Sequence, residues 1–223
     1  MGSEEAAIEI VKAVNERLGI PNDDNYIYQG LYDRGVIPVH NIMAGGDRFG
    51  DYHIYDFNGE IRMLQTSYFL TAELGEELPA EELEQIVVDF SAKLYPDTVL
   101  KTDSCIKDDS SWETDGVQYE SKDYIVTGEL FDNADGSTRS FEAKIRLDGI
   151  VRYVNAEYNG MDYLGLSDDI RNKVLSFAES GDAEIDIYNV EEYQEDRLLH
   201  FTLGYGKGYV TLLESNISLV DLC

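Results

Sequence analysis

The sequence predicts an α+β chain in which one helix packed on an antiparallel β-meander is repeated two or three times. Three observations predict it. Apolar residues at helical spacing recur in three separate segments. Between those segments the apolar period drops to two, broken by Asn-Gly and Asp-Gly turns. The first two helix-plus-hairpin stretches also lie on each other in sequence.

The first helix is expected from about Glu4 to Leu18, with Ile8, Val11, Val14 and Leu18 on one face and Gly19 and Pro21 as its stop. Strands follow near Tyr26–Tyr32 and Val36–Met43. A hairpin comes next: Tyr52 to Phe57, the turn Asn58-Gly59, then Glu60 to Leu64. Asn-Gly supplies the positive φ values of a two-residue type I′ turn. The second helix runs from about Pro79 to Leu94, carrying Leu83, Ile86, Val87, Phe90 and Leu94. Pro79 opens it, where a missing N–H costs nothing, and Pro96 ends it. Strands near Val99–Ile106 and Tyr124–Phe131 precede a second hairpin, Phe141 to Leu147 and Ile150 to Tyr158 around Asp148-Gly149. A third helix is expected from Ser167 to Ser180, with Ser167 as N-cap, Ile170, Val174 and Phe177 inward, and Gly181 closing it. The last strands are expected near Ile185–Val190, Leu198–Tyr205, Tyr209–Glu214 and Ile217–Leu222.

Ile10, Val11, Val14, Arg17 and Leu18 match Ile86, Val87, Phe90, Lys93 and Leu94 at an offset of 76. Tyr55, Phe57, Gly59, Ile61, Arg62, Met63 and Leu64 match Ile145, Leu147, Gly149, Val151, Arg152, Tyr153 and Val154 at an offset of 90. The second unit therefore carries 14 extra residues, placed in the acidic stretch Asp103–Asp123. The expected units are 1–75, 76–165 and a shorter 166–223. In each, the helix buries its apolar face across a sheet.

The 223 residues carry 45 acidic and 17 basic side chains, a net charge of −28. The three units hold −7, −13 and −8, so the charge is not an appended tail. With 43% hydrophobic and 11% aromatic residues, the chain is too apolar for a disordered acidic segment. So acidic a surface argues against nucleic acid or anionic membrane as a partner, since phosphate binding needs clustered Lys and Arg. No apolar run reaches the length of a membrane span. Cys105 and Cys223 make no disulfide framework and read as two unpaired thiols, the alternative being a bridge that ties down the C-terminus. Met1, Gly2 and Ser3 read as a cloning scar ahead of a helix, which fits a chain cut just after a leader or lipoprotein anchor. That places it outside the cytoplasm; the alternative is a native cytoplasmic start at Met1.

The pattern resembles tandem PepSY-type modules. The carriers are the helix exits Ala92 to Pro96 (AKLYP) and Arg17 to Pro21 (RLGIP), with the hairpins Tyr55 to Ile61 (YDFNGEI) and Ile145 to Val151 (IRLDGIV). The insertion at Asp103–Asp123 and the short third unit depart from that pattern. The resemblance implies a non-catalytic extracytoplasmic module that binds or restrains a partner, and it supplies no catalytic residues.

No catalytic centre and no cofactor emerge from the residues themselves. His40, His53 and His200 each fall in an expected strand, outside any metal-ligand spacing, and read as strand-face histidines. Cys105 sits among Asp103, Asp108 and Asp109, which would suppress its thiolate. Gly204 to Gly208 (GYGKG) lacks phosphate-loop spacing and reads as a bend between strands. Asn133, Asp135, Gly136 and Glu142 fit positions 3, 5, 6 and 12 of a calcium loop, but Phe131 occupies position 1, so a hairpin turn is expected. Two features point to binding instead. The dense acids of the insertion, Asp103, Asp108, Asp109, Glu113 and Asp115, would steer a basic partner. Among 16 tyrosines, Tyr26, Tyr28, Tyr52 and Tyr55 would supply a rigid amphipathic contact face. The expected function is a non-catalytic extracytoplasmic binding or regulatory module engaging another protein. The alternative is an intracellular acidic inhibitor, immunity-type or nucleic-acid-mimic protein blocking a basic partner.

Overall fold

In the computed structural model the described residues are 3–22, 25–32, 37–45, 49–70, 73–114, 116–134, 136–158, 185–193, 196–203, 208–213 and 219–222. The chain divides into two compact units, Met1–Leu31 with Val39–Glu157 and Tyr32–Pro38 with Tyr158–Cys223. The class is α+β, as the sequence predicts.

In the first unit, helix α1 (Glu4–Leu18) precedes strands β1 (Tyr26–Tyr32), β2 (Val39–Ala44), β3 (Gly50–Tyr55) and β4 (Ile61–Thr66). Helix α2 (Ala80–Leu94) precedes β5 (Thr98–Lys107), β6 (Ser111–Thr114), β7 (Val117–Glu120), β8 (Asp123–Asp132), β9 (Thr138–Arg146) and β10 (Val151–Tyr158). Ser3 caps α1 by accepting the Ala6 N–H at 3.2 Å, and Gly19 ends it in the left-handed region at φ 71°. Pro79 stands at the N-cap of α2.

Eight strands form one sheet in the order β1-β2-β3-β4-β10-β9-β8-β5. Each helix is thus followed by a meander, and the two meanders join through their last strands. There β4 and β10 run antiparallel, with Leu64 opposite Val154. Both helices contribute to one apolar core with the sheet: Ala7, Val11 and Val14 from α1, Leu83, Val87 and Leu94 from α2, and Ile42, Leu64, Val126, Ala143 and Val154 from the strands. A buried arginine ties the meanders together. Arg139 of β9, 2% exposed, donates to Glu60 in the β3–β4 loop at 3.0 Å and lies 5.0 Å over the Tyr95 ring.

The hairpin turns differ from the two-residue form expected. The Tyr55 N–H donates to the Glu60 carbonyl at 2.9 Å and the Gly59 N–H to the Tyr55 carbonyl at 2.9 Å, so the first loop is longer. The Arg146 N–H donates to the Ile150 carbonyl at 2.8 Å, which makes a three-residue loop of the second. The closing glycine takes positive φ in each, 75° at Gly59 and 92° at Gly149. Between β8 and β9, the Gly136 N–H donates to the Asp132 carbonyl at 3.1 Å, a hairpin turn as expected.

The insertion is structured too. Its acidic stretch extends β5 and then forms a two-stranded ribbon, β6 with β7. In the second unit, β11 (Ile185–Tyr193), β12 (Asp196–Leu203), β13 (Gly208–Leu213) and β14 (Leu219–Leu222) make a four-stranded antiparallel meander. The expected helix Ser167–Ser180, the segment 204–207 and Cys223 lie outside the described residues. Among the described residues, no helix is long and apolar enough to cross a membrane.

Candidate functional site

The ribbon places the chain's one tryptophan in the open. Its register sets Trp112 opposite Tyr119 and Thr114 opposite Val117. Side chains alternate across a ribbon, so these four share one face, while Glu113, Gln118 and Glu120 occupy the other. The Trp112 and Tyr119 rings stack at 5.9 Å between centroids with 14° between planes. Trp112 is 51% exposed, Val117 51% and Tyr119 44%, so the aromatic face is uncovered. Ile106, at the end of β5, is exposed as well.

At the base of the ribbon, the Ser121 N–H donates to the Ser110 carbonyl and the Asp108 N–H to the Asp123 carbonyl, both at 2.9 Å. The Asp108 carboxylate accepts the Ser110 N–H at 3.0 Å, and hydrogen bonds from Ser110 and Ser121 hold it below the usual carboxylate range. Asp108 therefore shapes the ribbon's root. Asp109, before the ribbon, and Glu113, on the face opposite the aromatic pair, are both exposed, and Asp103 is exposed at the β5 bulge between Thr102 and Ser104. Asp115 lies outside the described residues.

The four tyrosines singled out from the sequence do not make one face. Tyr52 and Tyr55 are 1% and 2% exposed. The Tyr52 hydroxyl donates to Asn15 Oδ1 at 2.7 Å, and the Tyr55 hydroxyl donates to the Ala156 carbonyl at 3.1 Å. The Tyr26 hydroxyl accepts from Asn15 Nδ2 at 3.1 Å and donates to Asn22 Oδ1 at 2.8 Å. Tyr28 sits 2.8 Å from His40 Nδ1, and His40 Nε2 sits 2.8 Å from Asp56 Oδ1. This chain uses both imidazole nitrogens, which leaves none to ligate a metal. The hydrogen bond from His40 holds the Asp56 carboxyl below its usual range, while burial, with Glu4 and Asp56 nearby, pushes the Tyr28 phenol up.

The thiol of Cys105 is pushed up by burial and by Glu84 and Glu81 of α2. Its suppression was expected from Asp103, Asp108 and Asp109; the charges responsible instead come from the helix lying over β5. Trp112 and Val117 are absent from the residues picked by sequence, and Tyr119 figures there only as one of many tyrosines. The signal for them was present in the strand-like alternation SWET and VQYE on either side of Asp115-Gly116.

No known family matches the chain, and no curated protein matches it. Among solved structures it is similar to the Bacillus megaterium YpeB C-terminal domain, at 11% identity and a TM-score of 0.38, over 100% of this chain and 97% of that one. Function has to be read from this chain's own side chains.

Proposed function

We propose that this protein is a non-catalytic extracytoplasmic module that engages another protein, with the acidic ribbon β6–β7 as its docking element. The observation that carries the reading is the uncovered Trp112–Tyr119 stack on one face of a ribbon whose other face carries Glu113 and Glu120. Aromatic residues on an exposed, shaped projection are the usual anchors of protein interfaces. An exposed, stacked indole on an acidic ribbon favours a partner segment bearing arginine or lysine, which lies over the ring.

The same reading holds that the eight-stranded sheet is a duplicated PepSY-like unit. Leu64 and Val154, matched at an offset of 90 in the sequence, face each other at the β4–β10 junction. Equivalent residues on a two-fold axis must do so.

Because the chain has one tryptophan, its fluorescence reports on the ribbon. Capture from envelope and cytoplasmic fractions, at low and high salt, tests the function with wild type and Trp112→Ser side by side. An envelope protein retained at high salt by wild type, lost by the variant, and blue-shifting the tryptophan emission is the expected result. A basic cytoplasmic partner lost at high salt and indifferent to Trp112→Ser would overturn it in favour of the acidic decoy.

A further inference from the structure

The sheet carries a second feature, independent of the ribbon. Tyr52 reaches Asn15 of α1 and pairs with Leu64, so Leu64 and its partner Val154 lie on the helix side. Gln65 and Tyr153, one position along, pair with each other on the opposite face. On β9, Ala143 packs in the core opposite Val126, which turns Glu142 and Lys144 to that same opposite face. These four side chains line a cleft of about 460 Å³, with Phe49 and Leu70 among its other walls.

Two of the charges in the cleft are already spent. Arg152 donates to both oxygens of Asp123 at 3.2 and 3.0 Å. Glu142 and Lys144 are less committed: among the described residues neither side chain makes a hydrogen bond or ion pair, and Lys144 reaches Asp108 only through its longer-range field. They stand at alternate positions of one strand, roughly 7 Å apart along it on one face, so a single small ligand can reach both. The Tyr153 phenol, which lines the same cleft from β10, is pushed up by burial and by Glu142 and Glu157, so it stays a neutral donor.

We propose that this cleft binds a zwitterionic apolar α-amino acid or dipeptide, its ammonium on Glu142, its carboxylate on Lys144 and its side chain against Phe49 and Leu70. A simple anion meets Glu142 and a simple cation meets Lys144, so each is opposed by one of the two charges. A ligand carrying both signs satisfies both, and being neutral overall it does not feel the net charge of −28. The volume lies in the range of small-ligand sites and suits one or two residues. Gln65 and the Tyr153 hydroxyl add the few polar contacts that fix orientation.

The test is an amide NMR titration of the full chain with L-leucine, L-phenylalanine and their homodipeptides, beside the N-acetylated and C-amidated forms. Shifts at Gln65, Tyr153 and β9 are expected with the zwitterions, and binding at least about tenfold weaker with either blocked form. Glu142→Gln should abolish discrimination against N-acetylation alone, and Lys144→Met against amidation alone, a split that a merely structural role would not give. Comparison of single residues with dipeptides settles the ligand's length. Absence of shifts at 10 mM ligand, or equal binding of blocked and free forms, would overturn the proposal. Neither outcome bears on the ribbon, which shares no residue with the cleft.

Discussion

Tyr52 shows how a polar group is bought into a core. Its ring is 1% exposed, and its hydroxyl is the donor that satisfies Asn15 Oδ1, itself on a side chain 1% exposed. Burial pushes the phenol up to about 12, with the Asn15 hydrogen bond pulling the other way. The folded state therefore holds a proton that the unfolded chain releases near 10. The stability this contributes is complete below pH 10 and is lost as pH climbs towards 12. Urea unfolding should lose stability more steeply over that window in wild type than in Tyr52→Phe. At neutral pH the same variant should cost about 1–2 kcal/mol, because it leaves the Asn15 acceptor buried without its donor. An unchanged midpoint would mean that water reaches Asn15. The Tyr and Asn identities were plain in the sequence. Their pairing across 37 residues was not, because strand alternation says which residues share a face and not which helix residue lies above them.

At the scale of elements, the boundary of β5 and β8 depends on one glycine. Gly128 sits opposite Thr102, beside the bulge between Thr102 and Ser104. A Cβ there would come 2.2 Å from the Lys101 carbonyl oxygen, a backbone atom that cannot swing away. Gly128→Ala should cost about 1–3 kcal/mol or more by overpacking, with hydrogen-exchange protection lost first along β5. Full retention of stability and of β5 protection would show that the bulge can open. A glycine inside a strand does signal a bulge or close approach, but only the paired strand identifies what comes close. Both described helices were legible to within a residue at their ends because caps and apolar spacing are local. The ribbon left only the alternation SWET and VQYE as a signal, since exposed strands lack a buried face to mark them.

For the whole molecule, the net charge of −28 sets the terms. Like charges spread over every segment repel most in the compact state, and salt screens exposed pairs beyond about 8–10 Å. Raising NaCl from about 10 to about 150 mM should therefore raise the unfolding temperature, and the change should flatten beyond that range. A fall in Tm would mean that surface pairs such as Lys12–Glu9 and Lys107–Glu77, at 2.6 and 2.7 Å, outweigh the repulsion. Screening should act on the ribbon and the cleft in opposite degree: a cationic segment on the ribbon weakens with salt in part, a neutral zwitterion hardly at all.

What the sequence by itself determined is everything local: the α+β class, the two described helices with their stops, the alternating strands and the glycines that close the hairpins. Those features follow from periodicity and backbone sterics within a few residues. The tertiary structure alone decided that two meanders merge into one sheet through Leu64 and Val154, that Tyr52 and Tyr55 turn inward, and that Glu142 and Lys144 line a common cleft with Gln65. These depend on pairing between segments dozens of residues apart. A strand's own residues fix its two faces, while its partner and register are fixed only by the fit of the whole core.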